Sequence, residues 1–182
     1  MSSEQPIGVS SPPGSALPAA EVEAILRERR WLDIDATPEL SAWLEHAALL
    51  LGLHAMDRAT LADVLELIFD YDADALLAIP ENQAVLARVG AREVIRELAH
   101  RILDGPGLDS DRYKEIIDGI KATLRYRGRE LFFPIRLALA GRAGEGKLDR
   151  VILLLDSAAK LPFTTPVKDT RQRMLEFCSA LD

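Results

Sequence analysis

Residues 128–156 read GRELFFPIRLALAGRAGEGKLDRVILLLD, and the reading of this stretch decides the fold. Its second half repeats apolar residues at Leu148, Val151, Ile152 and Leu155, spaced 0, 3, 4 and 7, which is one face of a helix and not a strand. In the first half, Pro134 either opens a helix in its first turn or kinks a longer one, and Gly141 is placed to end it. Between the halves, Gly141 to Lys147 matches the G-x-x-x-x-G-K core of a phosphate-binding loop. That loop needs Ser or Thr next, to hold magnesium, and here the residue is Leu148. A helix, a charged corner and a second helix account for the stretch better than a strand and a phosphate cradle.

The remaining chain extends the helical reading. Thr37-Pro38-Glu39 is a helix start, with Thr as cap and proline at the first helical position. Leu40, Trp43, Leu44, Ala47 and Leu51 then follow toward Gly52, and Trp31 and Trp43 read as core or interface anchors. A short helix is expected over 19–30, another from about Arg58, and a long one from Glu81 to Leu103. Asp109 or Ser110 caps the next, which carries Tyr113, Ile116, Ile117, Ile120 and Leu124 and which Gly128 can stop. A last short helix is expected near 169–181. Nothing alternates with period two for long enough to require a sheet.

The expected architecture is all-α, a two-part helical bundle. Residues 1–18 are expected as a disordered tail, 19–104 and 105–161 as two helical parts, and 162–182 as a C-terminal extension. With 48% apolar residues in 182, the chain can bury a core without staples.

Several functions lose support here. A single Cys178 leaves no intramolecular disulfide, and His46, His54 and His100 lack metal-pair spacing. Asp70, Asp72, Asp74 and Glu81 fill four positions of a calcium loop, but Ala75 stands where the turn needs glycine. No G-x-S-x-G elbow occurs, so neither a catalytic residue nor a metal or other cofactor is expected. The opening residues lack a secretory pattern and no run is long enough for a membrane span, so a cytoplasmic protein is expected.

Charge is unevenly spread. From Arg112 to Arg150 ten cations stand with five anions, net +5, which leaves −12 for the rest of a chain whose total is −7. Arg125, Arg127 and Arg129 crowd one helix end around Tyr126, and Arg142 and Lys147 bracket the next turn. Such a group is either a solvated helical face or a contact for phosphates and splayed bases.

The order Arg58-Ala-Thr-Leu61, then IFDYDAD, then the long helices, then Gly128-Arg-Glu-Leu-Phe-Phe-Pro-Ile-Arg-Leu-Ala-Leu-Ala-Gly141 resembles the C-terminal, helical anticodon-binding region of bacterial glutamyl-tRNA synthetases. That family shows G-K-L-F-x-P-L-R-x-A-L-T-G, then a short turn and a helix of the L-x-x-x-L-x-L-L-G kind. The resemblance covers roughly residues 37–159. Ala140 stands for the family's Thr, Asp156 for its final Gly, and Glu145 to Leu148 for its T-P-x-L turn. The H-I-G-H and K-M-S-K-S-like signatures of the catalytic domain do not occur.

The resemblance implies a stand-alone, non-catalytic tRNA-binding module, an accessory or split-synthetase subunit. Its implied partners are a tRNA, glutamate tRNA first, and a synthetase-like catalytic chain, with no membrane. To the RNA-facing residues Arg125, Arg127, Arg129, Arg142 and Lys147 it adds Arg136, Glu145 and Leu148. The alternative is a protein-interaction module that kept the fold and lost RNA binding.

Overall fold

The computed structural model describes residues 16–182, whose regular elements are all helices, with no strand. The helices are α1 (Ala19–Glu28), α2 (Pro38–Ala47), α3 (Arg58–Phe69), α4 (Ala73–Ala78), α5 (Pro80–Leu86), α6 (Ala91–Leu103), α7 (Ser110–Leu124), α8 (Gly128–Ala140), α9 (Lys147–Ala158) and α10 (Thr170–Leu181). A π-helical turn, Ala48–Gly52, extends α2. Most of the expected tail lies outside the described residues. Leu17, assigned to that tail, instead packs on the core and donates its N–H to the Gly52 carbonyl at 3.1 Å.

Caps explain most boundaries. Thr37 Oγ1 accepts from the Leu40 N–H at 3.2 Å, as its sequence position implies. Asp57, Asp72 and Asp109 cap α3, α4 and α7 in the same way. Asp72 therefore starts a helix, and residues 73–78 are helical where the calcium-loop pattern would need a loop.

Three expected elements differ. The long helix over 81–103 is two helices, because Gly90 takes a left-handed φ of 85° and turns the chain between them. The helix expected to stop at Gly128 ends at Leu124, with Arg125 left-handed at φ 62°. Gly128 opens α8, and Pro134 sits inside that helix.

Helices from either side of residue 104 pack together. α9 packs against α8 as well as α2, α3 and the π turn, while α4, α6 and α8 gather around α10. One apolar cluster runs through both groups, from Val22 to Phe177. Each amphipathic face is buried wherever a complementary face lies, whatever its distance along the chain.

α10 is an internal part of this core. Its Arg173 is fully buried and, among the described residues, forms no salt bridge. The guanidinium donates to the carbonyls of Leu67 and Ile68 at the end of α3, Leu139 at the end of α8, and Lys168, at 2.8–3.0 Å. These last-turn carbonyls have no donor within their own helices. Burial lowers Arg173 to about 10, so it stays charged at neutral pH while its ring partner Tyr71 lies 4.5 Å away. Tyr71 Oη covers the neighbouring orphan, donating to the Ala138 carbonyl at 2.5 Å.

The tryptophans serve packing, as expected. Trp43 is buried and donates to the Leu154 carbonyl at 3.3 Å, and Trp31 stacks on Phe69 at 4.7 Å.

Acid should weaken the fold by a traceable route. The Arg142 hydrogen bond holds Asp63 below the usual carboxylate range. Glu176 is raised by burial, but hydrogen bonds from Lys168 and the Ala73 N–H outweigh that and lower it on balance. A carboxylate with a lowered folded pKa stabilises above its unfolded value and loses that contribution as pH falls through the folded one. Melting temperature should therefore be flat near neutrality and fall below about pH 4. The D63N/E176Q double variant should show a shallower fall; equal slopes for variant and wild type would reject this route.

Candidate nucleic-acid interface

The corner begins where α7 ends. Arg125 turns the chain, Tyr126 lies against the α5–α6 turn, and Arg127 precedes α8. A Cβ at Gly90 would overlap the Tyr126 ring, and Tyr126 Oη reaches Glu93 at 3.5 Å. The side chains of Arg125, Arg127 and Arg129 are exposed. Helical spacing then sets cations over aromatic rings: Arg129 lies 5.5 Å from the Phe133 centroid, one turn away. Phe132 lies between Lys121 of α7, at 5.5 Å, and Arg136, at 4.6 Å. Both phenylalanines are half-buried. An edge of partly open rings with guanidinium and ammonium groups beside it can stack bases and neutralise phosphates.

Two sequence-selected residues serve the fold instead. Arg136 is 8% exposed; it grips both carboxylate oxygens of Asp149 at 2.8 and 3.0 Å and donates to the Gly144 carbonyl at 2.8 Å. It thus pins the 141–146 turn to α9. Burial opposes its charge, but the Asp149 hydrogen bonds raise its pKa on balance. Tyr113 Oη also donates to Asp149, at 2.9 Å, and burial together with that carboxylate pushes the phenol up. Leu148 is 1% exposed, a core residue that RNA cannot reach. Helical periodicity already placed Leu148 on the apolar face.

The other residues of the set divide. Arg142 pairs with Asp63 of α3 at 3.0 Å, both partly exposed. Glu145 sits 3.8 Å from Arg129, with the two side chains 76% and 72% exposed, a solvent-screened pair of little energetic weight. Lys147 is exposed at the start of α9. The 141–147 turn follows helix α8, and its Gly141 takes φ 78° as a helix cap, so the phosphate-loop likeness is a helix-to-helix corner. Sequence reading missed Lys121, Phe132 and Phe133 as parts of the surface. The 129/133 and 132/136 spacings, each four residues, were the available signal.

Over 96 residues the chain is 28% identical to a glutamate–tRNA ligase 2 of Syntrophus aciditrophicus (strain SB), covering 53% of this chain and 20% of that protein. Over 93 residues it is 29% identical to a glutamate–tRNA ligase of Carboxydothermus hydrogenoformans, covering 51% of this chain and 18% of that protein. The chain thus spans about a fifth of the length of the curated relatives it matches. No protein-family model matches, and no significant match to a solved structure was found. Among the described residues no helix is long and apolar enough to cross a membrane. About half of this chain is related in sequence to glutamate–tRNA ligases.

Proposed function

We propose that the chain is a non-catalytic tRNA-binding module related to glutamyl-tRNA synthetase, working with a synthetase-like catalytic chain. The observation that carries this reading is the exposed row Arg125, Arg127 and Arg129 beside the partly open rings of Tyr126, Phe132 and Phe133. Cations supply affinity for phosphates, and the rings accept unpaired bases, as in a tRNA loop. The relation to glutamate–tRNA ligases supports glutamate tRNA as the first species to test.

Fluorescence anisotropy with a labelled glutamate-tRNA transcript, titrated at several salt concentrations, tests the reading. Affinity should fall steeply with salt, because each neutralised phosphate contributes about −0.7 to −0.9 to the slope of log K against log salt. Changing Arg127, Arg129 and Lys147 to Glu should lower affinity at least roughly tenfold and flatten the slope by about two. Absence of binding to any tRNA at low salt would sink the proposal.

A second reading rests on Leu49, Leu53 and Met56, apolar side chains 60%, 52% and 88% exposed around the π turn. They suit a protein partner. A pull-down from the native cell, with RNA sequencing and mass spectrometry on one eluate, separates the two: enrichment of a protein without tRNA favours this one.

A further inference from the structure

Arg92, Arg96 and His100 stand at every fourth position of α6, and Arg88 continues the row into the preceding turn; all four are exposed. Along the helix, Arg92 to His100 spans about 12 Å, with about 6 Å per step. The acids of α6 have other partners, although Glu97 lines one groove with His100, Asp104 and Glu115. Glu97 pairs with Arg101 at 2.8 Å, and Glu93 faces Tyr126. Asp182 shares a groove with Arg92 and Arg96. Among the described residues, however, no salt bridge involves Arg88, Arg92 or Arg96.

Stability does not account for the three arginines. Like charges four residues apart repel on a helix surface, and Arg92 lies in the first turn of α6, where the helix dipole disfavours a cation. Its location is informative too. Tyr126 packs on Gly90, so the turn carrying Arg88 abuts the corner carrying Arg125 and Arg127. Corner and row adjoin at Tyr126, where Glu93 also lies, and the step along α6 is close to the separation of successive phosphates on a nucleic-acid strand.

We propose that Arg88, Arg92 and Arg96 form a second phosphate-binding track, which takes the RNA backbone leading away from the bases held at the corner. This inference rests on the RNA-binding reading above. It assigns the contact to the backbone, because Arg88, Arg92 and Arg96 offer guanidinium groups, which hold phosphates whatever the base.

The test uses the full chain, the same tRNA transcript and two variants. R92Q/R96Q should flatten the salt slope by about 1.4 to 1.8, two phosphate contacts, and weaken binding several-fold at physiological salt. Its melting temperature should equal or slightly exceed that of wild type, since repulsion is removed. R127E/R129E serves as the corner control. If the corner variant weakens binding while R92Q/R96Q keeps the wild-type slope and affinity, the track is overturned and the RNA reading stands. If wild type binds no tRNA, both fall. Weakening by R92Q/R96Q alone supports the track and counts against the corner. A drop of several degrees in the R92Q/R96Q melt would give the arginines a structural role and overturn the proposal, as would competition by polyglutamate equal to that by tRNA.

Discussion

Replacing Arg173 with alanine should destabilise the protein by about 4 kcal/mol, the largest single-residue effect expected in this fold. Four carbonyl oxygens lose their donor at once, and three of them close the buried ends of α3 and α8. A hydrogen bond to a charged group is worth about 1.5–3 kcal/mol, but losses at one side chain are not additive, and a cavity adds to the cost. For a chain of this size the melting temperature should fall by roughly 8–16 °C. Methionine would restore volume without donors and recover only part of this. Lysine would restore charge but not the planar fork that spans three separate segments. Urea unfolding followed by circular dichroism measures the difference; a variant within about 1 kcal/mol of wild type would show that water replaces the guanidinium.

Changing Asp156 to glycine, the residue at the corresponding place in the synthetase pattern, should cost about 2–4 kcal/mol. Its carboxylate accepts from the Leu108 N–H at 2.5 Å, the Thr170 N–H at 2.8 Å and the Thr170 hydroxyl at 3.1 Å. It thereby ties the end of α9 to the loop before α7 and to the first turn of α10. Thr170 is buried, so its donors would have no water to turn to. Glycine near the end of α9 adds about 1 kcal/mol of backbone entropy. Hydrogen exchange should show α10 opening more readily than α2 in D156G, while D156N, which keeps one acceptor oxygen, should fall between. Unchanged protection of α10 would mean that Arg173 alone anchors it.

Asp156 also shows how far the sequence could be read. As a departure from a family pattern it carried no explanation, because its partners lie 48 and 14 residues away. Arg136 and Arg142 looked alike as cations near a charged turn. Only their surroundings separate them, Arg136 pinning that turn through Asp149 and Arg142 pairing with Asp63 at the surface. The row on α6 escaped notice for a different reason. Its charges are diluted along the chain by Glu93 and Glu97, and they form one surface only when the helix turns the acids aside.

The sequence by itself determined the all-helical class and the buried face of most helices, though not every helix end, since caps, prolines and the 3.6-residue period act over a turn or two of chain. Thr37, Pro38 and the face from Leu148 to Leu155 were legible for that reason. Tertiary structure alone decided which faces meet, that Arg173 closes two helix ends, and that the corner adjoins α6 through Tyr126 on Gly90. Those are contacts between residues far apart in the chain. Their partners depend on how whole helices pack, which no local pattern encodes.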